Sequence, residues 1–144
     1  MIIHAIDPGK TAGYVRWTEG YADPWSMWQD DALYVARQLA RNLKTMDQHY
    51  VVVERYTQQS LRMTPQYDAL EMIGATRYLA WDNGVKFELQ SRADKSRVPN
   101  DVLRKHGLWR PNEPHMMDAA RHCLIAIARH RPQSGIMMQL AGKI

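Results

Sequence analysis

The sequence contains a single cysteine, Cys123, and no long apolar run. One cysteine excludes a disulfide framework within the chain and leaves no cysteine pairs for a structural zinc site. No run approaches the ~20 apolar residues that a membrane helix needs. Residues 1–5 also lack the basic and apolar regions of a signal peptide. We therefore expect a cytoplasmic protein without a membrane span.

Positive charge is scarce in the first two thirds of the chain. Residues 1–90 carry nine basic and eleven acidic side chains, a net charge of −2, whereas residues 91–131 carry nine basic and four acidic side chains, a net charge of +5. Such a basic region is typical of proteins that bind a polyanion. The length of 144 residues fits one domain. We place this domain at residues 1–132 and a tail without a clear pattern at residues 133–144.

The hydrophobic pattern predicts an α/β fold. Three short strands in succession indicate an antiparallel meander, and the apolar run Val51–Val53 is typical of a central strand covered on both faces. Strands are predicted at 2–6, 13–17, 24–28, 50–53 and 85–89, and helices at 33–43, 65–81, 94–106 and 114–131. This order predicts a three-stranded antiparallel meander extended by parallel strands, with helices on both faces.

Acidic side chains close two of the predicted strands. Asp7 ends the first strand, and Glu54 ends the apolar run. If these strands are neighbours, the two carboxylates converge and repel each other unless a cation lies between them. All-oxygen sites of this kind suit Mg²⁺ or Mn²⁺. The alternative is that Asp7 forms a turn before Pro8 and that Glu54 ends a strand facing water.

The start of the last helix adds an imidazole and a third carboxylate. His115 and Asp118 are three residues apart, so they share one helical face and can reach a common metal ion. The alternative role for Asp118 is a favourable interaction with the helix dipole in the first turn.

Basic residues cluster just before this helix, where they could hold phosphates or simply form a solvated helix face. Tyr56 could stack on an unpaired base or be half-buried. The candidate nucleic-acid-binding residues are Lys10, Tyr56, Arg92, Lys95, Arg97, Arg104 and Lys105.

Four stretches of the chain occur in the order known from one family. Residues 3–9, followed by Gly13 and Tyr14, match its opening strand and hairpin, and residues 51–54 match its second acidic strand. Residues 93–98 (Ala-Asp-Lys-Ser-Arg-Val) match its basic segment, and residues 115–120 match its last-helix motif. The chain resembles the RuvC-like Holliday-junction resolvases of the ribonuclease H-like superfamily, particularly the compact phage members.

The resemblance implies a ribonuclease H-like fold and a homodimer that cuts four-way DNA junctions. It implies paired symmetric nicks, and we expect them to leave 5′-phosphate and 3′-hydroxyl ends. The ligands of two Mg²⁺ or Mn²⁺ ions would be Asp7, Glu54, His115 and Asp118, and residues 65–81 would form the dimer helix. The expected setting is the cytoplasm of a bacterial cell or a phage-infected host.

Two other functions remain open at this point. A nuclease with the same core could act mainly on forks, flaps or other branched DNA, because a fold does not set the substrate. A branched-DNA-binding module without catalysis would bind junctions equally well after substitution of Asp7.

Overall fold

A mixed five-stranded sheet forms the centre of the structure, a computed structural model that describes residues 1–58 and 64–141. The strands are β1 (Ile2–Asp7), β2 (Thr11–Thr18), β3 (Trp25–Asp31), β4 (His49–Glu54) and β5 (Lys86–Gln90). The helices are α1 (Ala32–Asn42), α2 (Tyr67–Asp82), α3 (Arg92–Lys95), α4 (Asn100–Lys105), α5 (Pro114–His130) and α6 (Ile136–Ala141).

The strand order is β3-β2-β1-β4-β5. β1, β2 and β3 pair antiparallel as a meander, and β4 and β5 extend the sheet in parallel with β1. Each parallel strand is reached through a helical crossover, as parallel pairing requires. The predicted α/β architecture, a meander extended by parallel strands, is therefore confirmed.

Two hydrophobic cores lie on opposite faces of the sheet. Alternation along β1 sends Ile3 and Ala5 to the face covered by α5, and Ile6 to the face covered by α1 and α2. β4 divides in the same way, with Val52 on the α5 face and Val51 on the other. Both faces of β4 are therefore covered, as its apolar run Val51–Val53 predicts. None of the described helices is long and apolar enough to cross a membrane.

Two segments differ from the sequence-based expectation. The single helix predicted at 94–106 is divided into α3 and α4, because Pro99 has no backbone N–H to continue a helix and disfavours a helical Val98 before it. The segment assigned to the tail contains α6, where Ile136 and Leu140 are buried against the α5 core. Residues 142–144 lie outside the described residues.

Candidate active site

Two carboxylates lie side by side where β1 and β4 end. Ile6 is paired with Val53 in parallel register, so the residues that follow them, Asp7 and Glu54, are neighbours at the carboxyl edge of the sheet. The alternation of each strand directs both side chains towards α5. Asp7 is 7% exposed and Glu54 is 9% exposed, so both carboxylates are largely removed from water.

The first turn of α5 is fixed against β2 and β3. Gly13 of β2 lies so close to this turn that an added Cβ would be 1.9 Å from the carbonyl oxygen of His115. The side-chain Oε1 of Gln29 accepts hydrogen bonds from the backbone N–H groups of His115 (3.2 Å) and Met116 (3.3 Å), which satisfies two donors at the helix start. Pro114 occupies the first turn, where its missing N–H carries no penalty.

This anchoring brings His115 to Asp7. Nδ1 of His115 lies 2.8 Å from Oδ2 of Asp7. His115 is partly exposed while the Asp7 carboxylate is buried, so the imidazole lies between the buried carboxylate and solvent. The two predicted site residues are therefore directly paired.

Lys95 joins the other two predicted carboxylates. Its Nζ lies 2.9 Å from Oε2 of Glu54 and 2.6 Å from Oδ2 of Asp118. α3, which carries Lys95, is held by a capping box in which Ser91 and Asp94 each accept a hydrogen bond from the other's backbone N–H. The ammonium of Lys95 thus offsets part of the negative charge of two carboxylates.

Two further residues of α5 form hydrogen bonds with the carboxylates of Asp118 and Glu54. Arg121 donates from Nη1 to Oδ1 of Asp118 at 2.7 Å, and it also bonds Asn100 and the carbonyl oxygen of Val98. Nε2 of the fully buried His122 lies 2.9 Å from Oε2 of Glu54. Each carboxylate of the site therefore has its own nitrogen partner.

The environment raises the pKa of Asp7. Burial is the largest cause, and the charges of Glu54 and Asp118 act in the same direction. The hydrogen bond with His115 and the charge of Lys95 oppose them, and the resulting pKa is about 6. Negative charge is therefore unfavourable at Asp7 unless an additional cation is present.

The pKa values of Glu54 and Lys95 are instead shifted in favour of their charged forms. Burial raises the pKa of Glu54, but hydrogen bonds from His122 and Lys95 outweigh burial, so the pKa lies below its usual value. Burial lowers the pKa of Lys95, but its hydrogen bonds to Asp118 and Glu54 raise it above its usual value. Both groups therefore stay ionised around neutral pH.

A cleft of about 660 Å³ opens over these residues. The four predicted ligands Asp7, Glu54, His115 and Asp118 line it, and so do Lys10, Tyr56, Arg92 and Lys95 from the predicted DNA-binding set. Basic side chains and an aromatic ring therefore share one cleft with the carboxylates.

Searches of protein-family models and of curated protein sequences find no match to this chain. Solved structures do match. The structure described as "T. thermophilus RuvC in complex with Holliday junction substrate" has a TM-score of 0.63 and 17% sequence identity, over 85% of this chain and 90% of that chain. The chain has the RuvC fold. A second structure, Thermus thermophilus RuvC, matches with a TM-score of 0.53 and 16% identity over 90% of this chain and 96% of that chain.

The RuvC fold confirms the predicted ribonuclease H-like architecture.

Some predicted DNA-binding residues lie away from the cleft lining. Arg97 is 3.7 Å from Asp94, and the guanidinium of Arg104 lies 4.2 Å above the ring of Trp109. Lys105, on the same short helix α4 as Arg104, is exposed.

No group of three or more His, Cys, Asp or Glu side chains within residues 1–58 and 64–141 is arranged to hold a metal ion. The four predicted ligands instead form two subsets. Asp7 pairs with His115, and Glu54 and Asp118 share Lys95.

Sequence reasoning missed two partners of the carboxylates in this RuvC fold. Arg121 and His122 follow Asp118 by three and four residues, a spacing that places them near Asp118 on α5. Nothing in that spacing indicates the contact of His122 with Glu54, which lies 68 residues away along the chain.

Proposed function

We propose that the protein is a divalent-metal-dependent endonuclease that resolves four-way DNA junctions by paired symmetric nicks. The products would carry 5′-phosphate and 3′-hydroxyl ends. The observation that carries this proposal is that three carboxylates, Asp7, Glu54 and Asp118, line one cleft together with Lys10, Arg92 and Lys95. Carboxylates that hold divalent ions, set beside cations that hold phosphates, form the arrangement that phosphodiester hydrolysis needs.

The donor set suits two Mg²⁺ or Mn²⁺ ions. Asp7, Glu54, Asp118 and His115 offer carboxylate oxygens and one imidazole, and hard divalent cations prefer such oxygen-rich sites. The raised pKa of Asp7 supports this fit, because burial and the charges of Glu54 and Asp118 make the ionised carboxylate unfavourable without a further cation. When bound, divalent ions supply charge stabilisation at the phosphate and lower the pKa of the attacking water.

The protein side chains would orient the DNA and move protons. His115 borders both Asp7 and the cleft, so it would either ligate or accept a proton from the attacking water, the general-base role that an imidazole commonly takes. Lys95, which is charged, lies where it could hold the scissile phosphate and offset developing negative charge. Tyr56, also in the cleft lining, would stack on an unpaired base near the branch point.

A homodimer would place two such clefts on opposite strands of a junction. α2 supports this part of the proposal because it presents an exposed apolar face, which includes Tyr67, Leu70, Tyr78 and Trp81. Apart from the backbone of its own helix, no atom of the described residues lies within 4 Å of a Cβ added at the exposed Gly74, so a second helix could approach closely there. Contiguous exposed apolar surface of this kind marks interaction sites.

The similarity to RuvC in complex with a Holliday junction favours junctions over other branched DNA. We would test the proposal by incubating the purified protein and Mg²⁺ with end-labelled four-way junctions, replication forks, flaps and linear duplex. Paired nicks at symmetric positions on the junction, faster than cutting of forks and flaps, would support a resolvase. Equal or faster cutting of forks and flaps would restrict the proposal to a branched-DNA nuclease. Junction binding without cutting, in Mg²⁺ and in Mn²⁺, would favour a binding module.

A further inference from the structure

A fully buried histidine stands behind the candidate site. His122 is 0% exposed and lies on α5 among the apolar residues Cys123, Leu124 and Ile125. Burying an imidazole in apolar surroundings is unfavourable unless its nitrogens form hydrogen bonds. The two partners of this ring therefore show what keeps a polar side chain here.

Both ring nitrogens of His122 have partners. Nε2 is 2.9 Å from Oε2 of Glu54, and Nδ1 is 2.7 Å from Oε1 of Gln90. Gln90 is the last residue of β5 and is paired with Glu54 in the parallel register of β4 and β5. The ring thus links the ends of two neighbouring strands from the helix that covers them.

Gln90 determines which nitrogen of His122 carries the proton. Gln90 is 1% exposed, and its Nε2 has no hydrogen-bond partner within the described residues. With its amide turned by 180°, Nε2 donates to Nδ1 of His122, and the proton of the neutral ring then lies on Nε2, which faces Glu54. The buried group therefore directs an N–H donor at the carboxylate of Glu54.

The contacts also determine which oxygen of the Glu54 carboxylate remains available to bind a ligand. Lys95 and His122 both bond Oε2, and within the described part of the chain Oε1 has no donor. Glu54 lines the cleft. With Oε2 held from two directions, the carboxylate has one orientation, and Oε1 is the oxygen that can bind a ligand.

We infer that His122 is a positioning residue that fixes the orientation of the Glu54 carboxylate through Nε2, while Gln90 fixes the imidazole ring. This inference rests on the proposed nuclease function and assigns a role within the same site. His122 does not touch the substrate. It acts through Glu54, as partners behind metal ligands commonly do.

Two amide substitutions distinguish the contact of residue 122 with Glu54 from its contact with Gln90. In H122Q the side-chain Nε2 can replace the donor to Glu54, whereas the shorter side chain of H122N reaches Gln90 but not Glu54. Both variants bury one amide, so a purely structural role predicts that they behave alike. C123A, one residue further along α5, changes a fully buried side chain of the apolar core and is the matched control.

The variants would be compared by Mn²⁺ binding, followed by electron paramagnetic resonance, and by single-turnover junction cleavage, with thermal denaturation and junction binding alongside. We expect H122N to bind Mn²⁺ about tenfold more weakly and to cut about 10–100-fold more slowly, with unchanged junction binding. H122Q and C123A should stay within about threefold of wild type in both Mn²⁺ affinity and cleavage rate.

Equal Mn²⁺ affinity and cleavage in H122N, H122Q and wild type would overturn the inference. So would equal losses in both amide variants that follow their loss of thermal stability. If the wild-type protein binds Mn²⁺ but cuts no branched DNA, the proposed function fails. The order of Mn²⁺ affinities would then still test the role of His122.

Discussion

Gly13 of β2 allows the first turn of α5 to pack closely on the sheet, and this packing determines the position of the candidate site. An alanine Cβ at residue 13 would lie 1.9 Å from the carbonyl oxygen of His115 and 2.7 Å from the amide nitrogen of Met116. Real Cβ atoms essentially never approach other atoms closer than 3.0 Å. Because both contacts are with backbone, no side chain can rotate away, and the start of α5 must retreat by about 1 Å.

The effect on stability follows from the lost contacts. Overpacking of this kind costs about 1–3 kcal/mol. Retreat of the helix also weakens the two hydrogen bonds from the backbone of His115 and Met116 to Gln29, worth about 1 kcal/mol each. We therefore expect Gly13→Ala to lower the free energy of unfolding by about 2–4 kcal/mol. A misplacement of about 1 Å at the site would slow junction cleavage about 100-fold.

Chemical denaturation and single-turnover cleavage measure these two effects. Met46→Ala is the control for stability, because Met46 is fully exposed and lies outside the cleft lining. It should change the free energy of unfolding by no more than about 0.5 kcal/mol. A Gly13→Ala protein with wild-type stability and wild-type cleavage would refute the close packing of β2 against α5.

Three further predictions test other parts of the structure. Because the folded protein raises the pKa of Asp7 from its ordinary value of 3.8 to about 6, folding favours its protonated form. The contribution of Asp7 to stability should therefore fall as pH rises from 4 to 6. Asp7→Asn should stabilise the protein relative to wild type by about 2–3 kcal/mol at pH 7.5 but hardly at pH 4, and an equal gain at both pH values in urea unfolding would contradict this. Arg121→Lys should lower the free energy of unfolding by about 1–3 kcal/mol, because lysine cannot replace three directed donors; unchanged denaturation would be the contrary result. Trp81→Glu should give a monomer in light scattering if α2 forms the dimer interface, whereas an unchanged dimer mass would place the interface elsewhere.

The sequence was sufficient for the part of the site that depends on strand ends. The uninterrupted apolar run of β4 identified a strand covered on both faces, and a covered parallel strand has its carboxyl end beside that of its neighbour. Asp7 and Glu54 could therefore be predicted to converge before any distance was known. The position of His115 and Asp118 on one helical face followed from their spacing alone.

Contacts between distant segments were not predictable in this way. The role of His122 depends on Glu54 and Gln90, which lie 68 and 32 residues away along the chain. Nothing next to His122 in the sequence indicates these partners. The break at Pro99, in contrast, had a local signal, which the basic character of residues 92–110 obscured. α6 is short, and it is held by tertiary burial of Ile136 and Leu140 rather than by a pattern of its own.

The most direct test of the central claim is cleavage of an end-labelled four-way junction by wild type, Asp7→Asn and Asp23→Asn, in Mg²⁺ and in EDTA. Asp23 is exposed and lies outside the cleft lining, so its substitution is the matched control. We predict paired nicks by wild type and Asp23→Asn in Mg²⁺ only, and none by Asp7→Asn. Cleavage by Asp7→Asn at the wild-type rate, or cleavage in EDTA, would contradict a metal-dependent active site at Asp7.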